Sequence, residues 1–162
     1  MATTPKTAYI TSNLEVLEQL SLATLSDKSV THQLKDELVL TSSSTPDFEK
    51  VWSARQLLTA GAATIDLKAL TDPEGNTITT EGKKIRAIKI KALSTNANAL
   101  TISEGASNGY ELFGNAFTIA LEAGDHFLAY LGTNAPDISD TTKNIDLAGT
   151  GTQGIDIIIV IG

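Results

Sequence analysis

Ile155-Asp156-Ile157-Ile158-Ile159-Val160-Ile161-Gly162 is a nearly unbroken β-branched run, and its reading decides the fold. Branched side chains suit a pleated surface. In an extended chain alternate residues point to opposite faces, so Ile155, Ile157, Ile159 and Ile161 share one side and Asp156, Ile158 and Val160 the other. One side fills a core. The other asks for a second cover, because an antiparallel sheet ordinarily leaves one face polar and wet. That cover is either the chain's own N-terminal segment or another subunit.

Working back from this run, residues 64–147 read as short extended segments separated by turn clusters. Ile65, Leu67 and Ala69 alternate before Asp72-Pro73-Glu74-Gly75-Asn76, where Pro presets φ and Gly and Asn accept positive φ, so the chain reverses there. Residues 84–93 form the next strand, with Ile88, Ile90 and Ala92 on one face and Lys89 and Lys91 on the other. Ile85 is out of phase, which a bulge near Arg86 or Ala87 reconciles. Further strands are expected over 99–103, 117–121, 126–131 and 144–147. No segment between them holds a crossover helix of ten or more residues, so the pattern is antiparallel β.

The first fifty residues are less regular. Residues 14–22 fit a strand through Leu14 and Val16 or a short helix through Leu14, Leu17 and Leu20, with the strand preferred. Leu38, Val39 and Leu40 suggest another strand ahead of Thr41-Ser42-Ser43-Ser44-Thr45-Pro46, the expected hinge or surface loop. The expected architecture is therefore all-β: an antiparallel β-sandwich or jelly-roll-like barrel over 51–162, preceded by a partly extended N-terminal arm over 1–50.

The chain has 162 residues and a formal charge of −7, with 41% hydrophobic but only 5% aromatic residues. The core must be built from Ile, Leu, Val and Ala. The acidic balance argues against nucleic-acid binding, which draws its affinity from clustered Lys and Arg. With no cysteine, disulfides, thiol catalysis and Cys-ligated metals are excluded. No run approaches a membrane span, and the first residues lack the apolar segment of a signal peptide, so a soluble protein made in a cytoplasm is expected.

Residues able to carry chemistry are scattered. His32 and His126 lie outside any metal-spaced motif, and Asp125 beside His126 points to the opposite strand face. Gly149-x-Gly151-x-x-Gly154 imitates a dinucleotide fingerprint but precedes an isoleucine strand rather than a helix, and reads as a hairpin turn. Asp137, Asp140 and Asp146, with Asn134 and Asn144, read as a solvated turn-rich loop, with Ca²⁺ binding as the sharper alternative. Lys83, Lys84, Arg86, Lys89 and Lys91 form the basic cluster, read as the solvent face of one strand or a stripe meeting an acidic partner. No catalytic, cofactor-binding or metal residue is nominated. Trp52, the single Trp, is a core filler or an interface anchor.

Ser53-Ala54-Arg55, Leu57-Leu58, Ile65-Asp66-Leu67, Leu70-Thr71-Asp72 with Gly75, Ile85-Arg86-Ala87-Ile88-Lys89-Ile90, Gly105-Ala106-Ser107-Asn108, Ala123-Gly124 and the closing Asp156 to Gly162 run together resemble a group of tailed-bacteriophage structural proteins. The resemblance covers about two-thirds of the chain and leaves out the first fifty residues. It implies a small β-sandwich virion component without enzymatic activity or cofactor, and it carries over no functional residues. A capsid decoration or cement protein on the major capsid protein shell is the leading expectation. The alternatives are a head–tail junction, tail or baseplate component and, from another class, a glycan-binding β-sandwich. The expected partners are the major capsid protein and further copies of the chain, a trimer first, with neither nucleic acid nor membrane. The expected location is the capsid surface of a virion assembled in a host cytoplasm, and the candidate interface residues are Ile158, Val160, Trp52, Lys89 and Lys91.

Overall fold

The protein is described by a computed structural model covering residues 7–20 and 28–162. Among the described residues ten strands are formed: β1 (Thr7–Leu20), β2 (Lys28–Thr41), β3 (Lys50–Leu57), β4 (Ala62–Asp66), β5 (Ile85–Ala92), β6 (Leu100–Glu104), β7 (Thr118–Leu121), β8 (His126–Tyr130), β9 (Asn144–Ala148) and β10 (Gly154–Ile161). β1 and β2 pair with each other as a two-stranded arm. The other eight make two four-stranded sheets, ordered β3-β10-β5-β8 and β4-β9-β6-β7, and every strand pair is antiparallel.

The isoleucine run, β10, is a central strand between β3 and β5. Its inner residues Ile155, Ile157, Ile159 and Ile161 are buried in one cluster with Ile88 and Ile90 of its own sheet and Leu100, Ile102, Ile145 and Leu147 of the other. This is the core between the layers. Trp52, opposite Ile159 on β3, is partly buried and packs against it.

The phase break expected near Arg86 is a bulge. Val160 faces Ala87 and Ile161 faces Ile85, leaving Arg86 as the extra residue. The bulge lets Ile85 and Ile88 both point into the core. It is pinned from the other layer by Tyr110, a fully buried side chain whose hydroxyl accepts from the Ile85 amide at 3.0 Å and donates to the Pro136 carbonyl at 2.9 Å.

Leu14 and Val16 lie in extended chain through Leu20, and residues 21 and 22 of that expected segment are outside the described residues. The reversal at Asp72 to Asn76 forms, with the Gly75 amide bonded to the Asp72 carbonyl and Gly75 at φ 87°. Two expectations need correction. Ala69 is not in a strand, because the Asp66 carboxylate accepts from the Lys68 amide and the Asp66 carbonyl from the Ala69 amide, closing a turn that still buries Leu67 and Leu70. The segment 149–153 is not a hairpin turn either. It carries the chain from β9 in one sheet to β10 in the other, and bonds back to Gly61 through Gly149 N and Gly151 O. A Cβ on Gly61 would stand 2.7 Å from the Gly149 carbonyl oxygen, so that close approach requires glycine.

The Tyr110→Phe variant leaves the Ile85 amide and Pro136 carbonyl unpaired in the interior, and is expected to lose about 2 kcal/mol of unfolding free energy. Urea titration checks this as a lower midpoint at unchanged slope. Burial pushes the Tyr110 hydroxyl up from 10.0 to about 12. The folded state therefore holds this proton more tightly than the unfolded chain, and the associated stability is complete below pH 10 and lost as pH rises towards 12. The wild-type chain should lose more stability over that window than Tyr110→Phe does; equal losses would remove Tyr110 as the cause.

Candidate interaction surface

The sheet β3-β10-β5-β8 has an outer face, formed by Val51, Ser53 and Arg55 of β3, Asp156, Ile158 and Val160 of β10, Ala87, Lys89 and Lys91 of β5, and Leu128 and Tyr130 of β8. Its two ends differ. At one end Val160 is 7% exposed and Ala87 is buried, because the base of the arm lies on them. Leu40 and Phe48 complete a second apolar cluster there, with Ala8, Ile10 and Leu38 packed against it. Strand register explains the choice: Ala8 faces Leu40 and Ile10 faces Leu38, so four apolar side chains fall on one face of the ribbon.

The connection 42–49 fixes the arm on the sandwich. The Thr41 carbonyl accepts from the Phe48 amide at 3.0 Å, and the Ser44 hydroxyl bonds back to Thr41 and Pro46. Arg86, the bulge residue, is itself buried and reaches out from the sheet to the Asp47 carboxylate at 3.1 Å and the Gly132 carbonyl at 3.0 Å. A guanidinium is well suited to tying two chain segments at once.

Beyond the base the same ribbon face continues uncovered. After the polar Ser12/Asp36 rung come Leu14 opposite Leu34 and Val16 opposite His32, with Val30 opposite Glu18. Leu14 is 66% and Leu34 75% exposed. Fourteen residues of strand span about 45 Å, while four strands spaced about 4.8 Å apart make a sheet far narrower than that. The arm therefore overhangs. On the opposite ribbon face Leu17, and the pair Tyr9 and Val39, are also exposed.

At its other end the outer sheet face is uncovered as well. Ile158 is 48% exposed, near Val51, and Lys89 and Lys91 project beside it from β5. A groove of about 340 Å³ runs between this strip and the β1 edge of the arm, lined by Tyr9, Val51, Lys89, Leu128 and Ile158 among others. Arg55 and Asp156 face each other across the strip and make a two-pronged ion pair at 2.7 and 2.9 Å, which holds the Asp156 carboxyl below the usual carboxylate range.

Of the five candidate interface residues, Ile158, Lys89 and Lys91 thus share this uncovered strip, Val160 lies under the arm, and Trp52 faces the core. The basic cluster is not one solvent face. Lys83 pairs with Glu49 and Lys84 with Asp137, which joins loops at the sandwich end, and Arg86 is buried. Lys89 makes no ion pair with any described residue. The acidic residues also separate: Asp137 pairs with Lys84, Asp140 with Lys68, and Asp146 accepts from Thr64 and the Ala106 amide. Among the described residues no three His, Asp or Glu side chains gather as a metal site. Asp125 accepts from the Glu122 amide within its own turn, and His126 is exposed opposite Lys91.

The periodicity of residues 7–41 contained the arm's two faces, but the docking of one half could not be read without the register. Replacing Arg86 by Ala removes two charge-assisted hydrogen bonds at the arm base and should cost about 2 kcal/mol. Amide exchange at Thr41 and Phe48 is expected to accelerate roughly thirtyfold, and unchanged exchange there would refute the anchoring role. No protein-family model matches the chain, and a search of curated proteins finds none similar to it.

Proposed function

We propose that the chain is a non-enzymatic structural protein of a tailed-bacteriophage virion, a capsid decoration or cement protein that sits on the shell and grips its neighbours with the β1–β2 arm. The observation that carries this reading is the overhanging arm. A lone two-stranded ribbon is marginal in water, and one with leucines exposed on both strands is poorly suited to stand without a partner. An anchored base and an apolar outer half are the parts of a clasp.

The strand order supports the virion setting. Numbering the eight sandwich strands from first to eighth, the sheets run 1-8-3-6 and 2-7-4-5, the order of a jelly roll, an architecture used by viral capsid proteins and by lectins. The resemblance of residues 51–162 to phage structural proteins points the same way. In this role the arm adds apolar burial across subunit boundaries, so that rupture of the shell must first expose that surface.

The proposal is tested on particles of the phage that carries the chain. Hundreds of copies per particle are expected, whereas a few to dozens would move the assignment to the head–tail junction, tail or baseplate. Particles stripped of the protein should release DNA at lower temperature. Adding back the wild-type chain should restore resistance, while Leu14→Asp/Leu34→Asp should not. If stripped and complete particles rupture alike, the cement role is wrong.

A further inference from the structure

We propose that the partner of the arm's outer half is a second copy of this chain, the rungs Leu14/Leu34 and Val16/His32 of one copy lying on the uncovered strip around Ile158 of the next. This deepens the proposed clasp role and rests on it.

The contact is already made once inside each chain. The first half of the arm face, Ile10 and Leu38 with their neighbours, covers the first half of the outer sheet face at Val160 and Ala87. What is left open is the second half of the same two surfaces. On the arm the apolar rungs resume after one polar rung; on the sheet the apolar column continues from Val160 to Ile158. Each chain thus carries one free arm half and one free sheet strip, equal in number, as a repeating contact between copies requires.

The arm's own outer half does not serve its own strip. From its seat over Val160 the arm passes Leu128 and Tyr130 of the edge strand β8, where Ile10, Ser12, Asp36 and Leu38 line a shared hollow, and then leaves the sandwich. The strip stays open on the β1 side of the arm.

Charge favours the same pairing. Strands β1 and β2 carry Glu15, Glu18, Asp36 and Glu37 against Lys28 and Lys35, four negative charges to two positive, a balance of −2. The strip carries Arg55, Lys89 and Lys91 against Asp156, three positive charges to one negative, a balance of +2. On a chain of formal charge −7 this is a locally basic surface, matched to an acidic arm. A contact between two different patches repeats head to tail and closes into a ring when the rotation permits.

The chain has no cysteine, which makes the test direct. Leu34→Cys and Ile158→Cys chains, mixed under mild oxidation, should form a disulfide-linked pair in clear excess over mixtures of either with Glu74→Cys, an exposed turn position away from both surfaces. By sedimentation, wild-type chain should associate with rising concentration and less so at high salt. Leu34→Asp and Ile158→Asp should each weaken association roughly tenfold or more, and a mixture of the two should recover a heterodimer, since one arm and one strip remain intact. The cysteine variants keep the test valid should either aspartate variant fail to fold. A wild-type chain that stays monomeric, with cross-linking no greater than the Glu74→Cys control, overturns the second-copy partner. If that chain still binds coat shells, and does so through Leu34, the clasp role survives with a coat subunit as its partner. Binding to neither copies nor shells would remove both.

Discussion

Burial of the inner face of β10, together with Val160 on its outer face, is the constraint from which the rest of the molecule follows. Four isoleucines on its inner face each contribute about 1.5–3 kcal/mol by leaving water, and a slip of one residue would exchange them for Asp156, Ile158 and Val160. The register is therefore held strongly. Yet the outer face still carries Val160, whose dryness depends on Leu40 and Phe48 arriving from the arm and its connection. The arm docks where β10 requires a roof, and the bulge at Arg86 places a guanidinium at that roof's edge to hold Asp47. A sheet defect in one layer thus sets the position of a segment that begins more than forty residues earlier.

This linkage passes through Tyr110. Its hydroxyl occupies the Ile85 amide beside the bulge and the Pro136 carbonyl in the loop after β8, joining three segments distant in sequence. The order of dependence runs from the core between the sheets, through the bulge, to the arm base. The outer half of the arm depends on none of these contacts, and Leu14, Leu17 and Leu34 there stay exposed.

Much of the sandwich was legible in the sequence because period-two patterning and turn residues are local signals. Phe117, Ile119 and Leu121, the Asp72 to Asn76 reversal and the phase break at Ile85 each announce themselves within ten residues. Ala69 misled because alternation continued one step past a turn made by the Asp66 side chain, a hydrogen bond that apolar spacing does not report. Pairing was the illegible part. That the Gly149 to Gly154 segment changes sheets rather than reversing within one depends on long-range partners, as does the division of the lysines between loop ties and the open strip. Of the two covers posed by the sequence of β10, the chain's own arm supplies one over Val160 and leaves Ile158 uncovered.

A sandwich of two four-stranded antiparallel sheets does not by itself separate shell proteins from sugar-binding ones, so the distribution of aromatic and apolar surface bears on the choice. The chain has eight aromatic residues. Phe48 and Tyr110 are buried, Trp52 lines the core, and Phe117 and Phe127 pack edge-to-face around Phe113, which is itself 43% exposed. Tyr9 and Tyr130 are exposed, Tyr9 on the ribbon face opposite the docked one and Tyr130 on the outer sheet face, so they do not form one stacking platform. Exposed apolar surface is concentrated instead in aliphatic side chains, Leu14, Val16, Leu17 and Leu34 on the arm and Ile158 on the sheet. Aliphatic faces gain free energy by excluding water over an area and offer few directed hydrogen bonds, whereas a sugar presents hydroxyls that need such bonds. A long ribbon edged with carboxylates and faced with leucine matches another protein surface of the opposite charge, and the strip around Ile158, with Lys89 and Lys91, has that character.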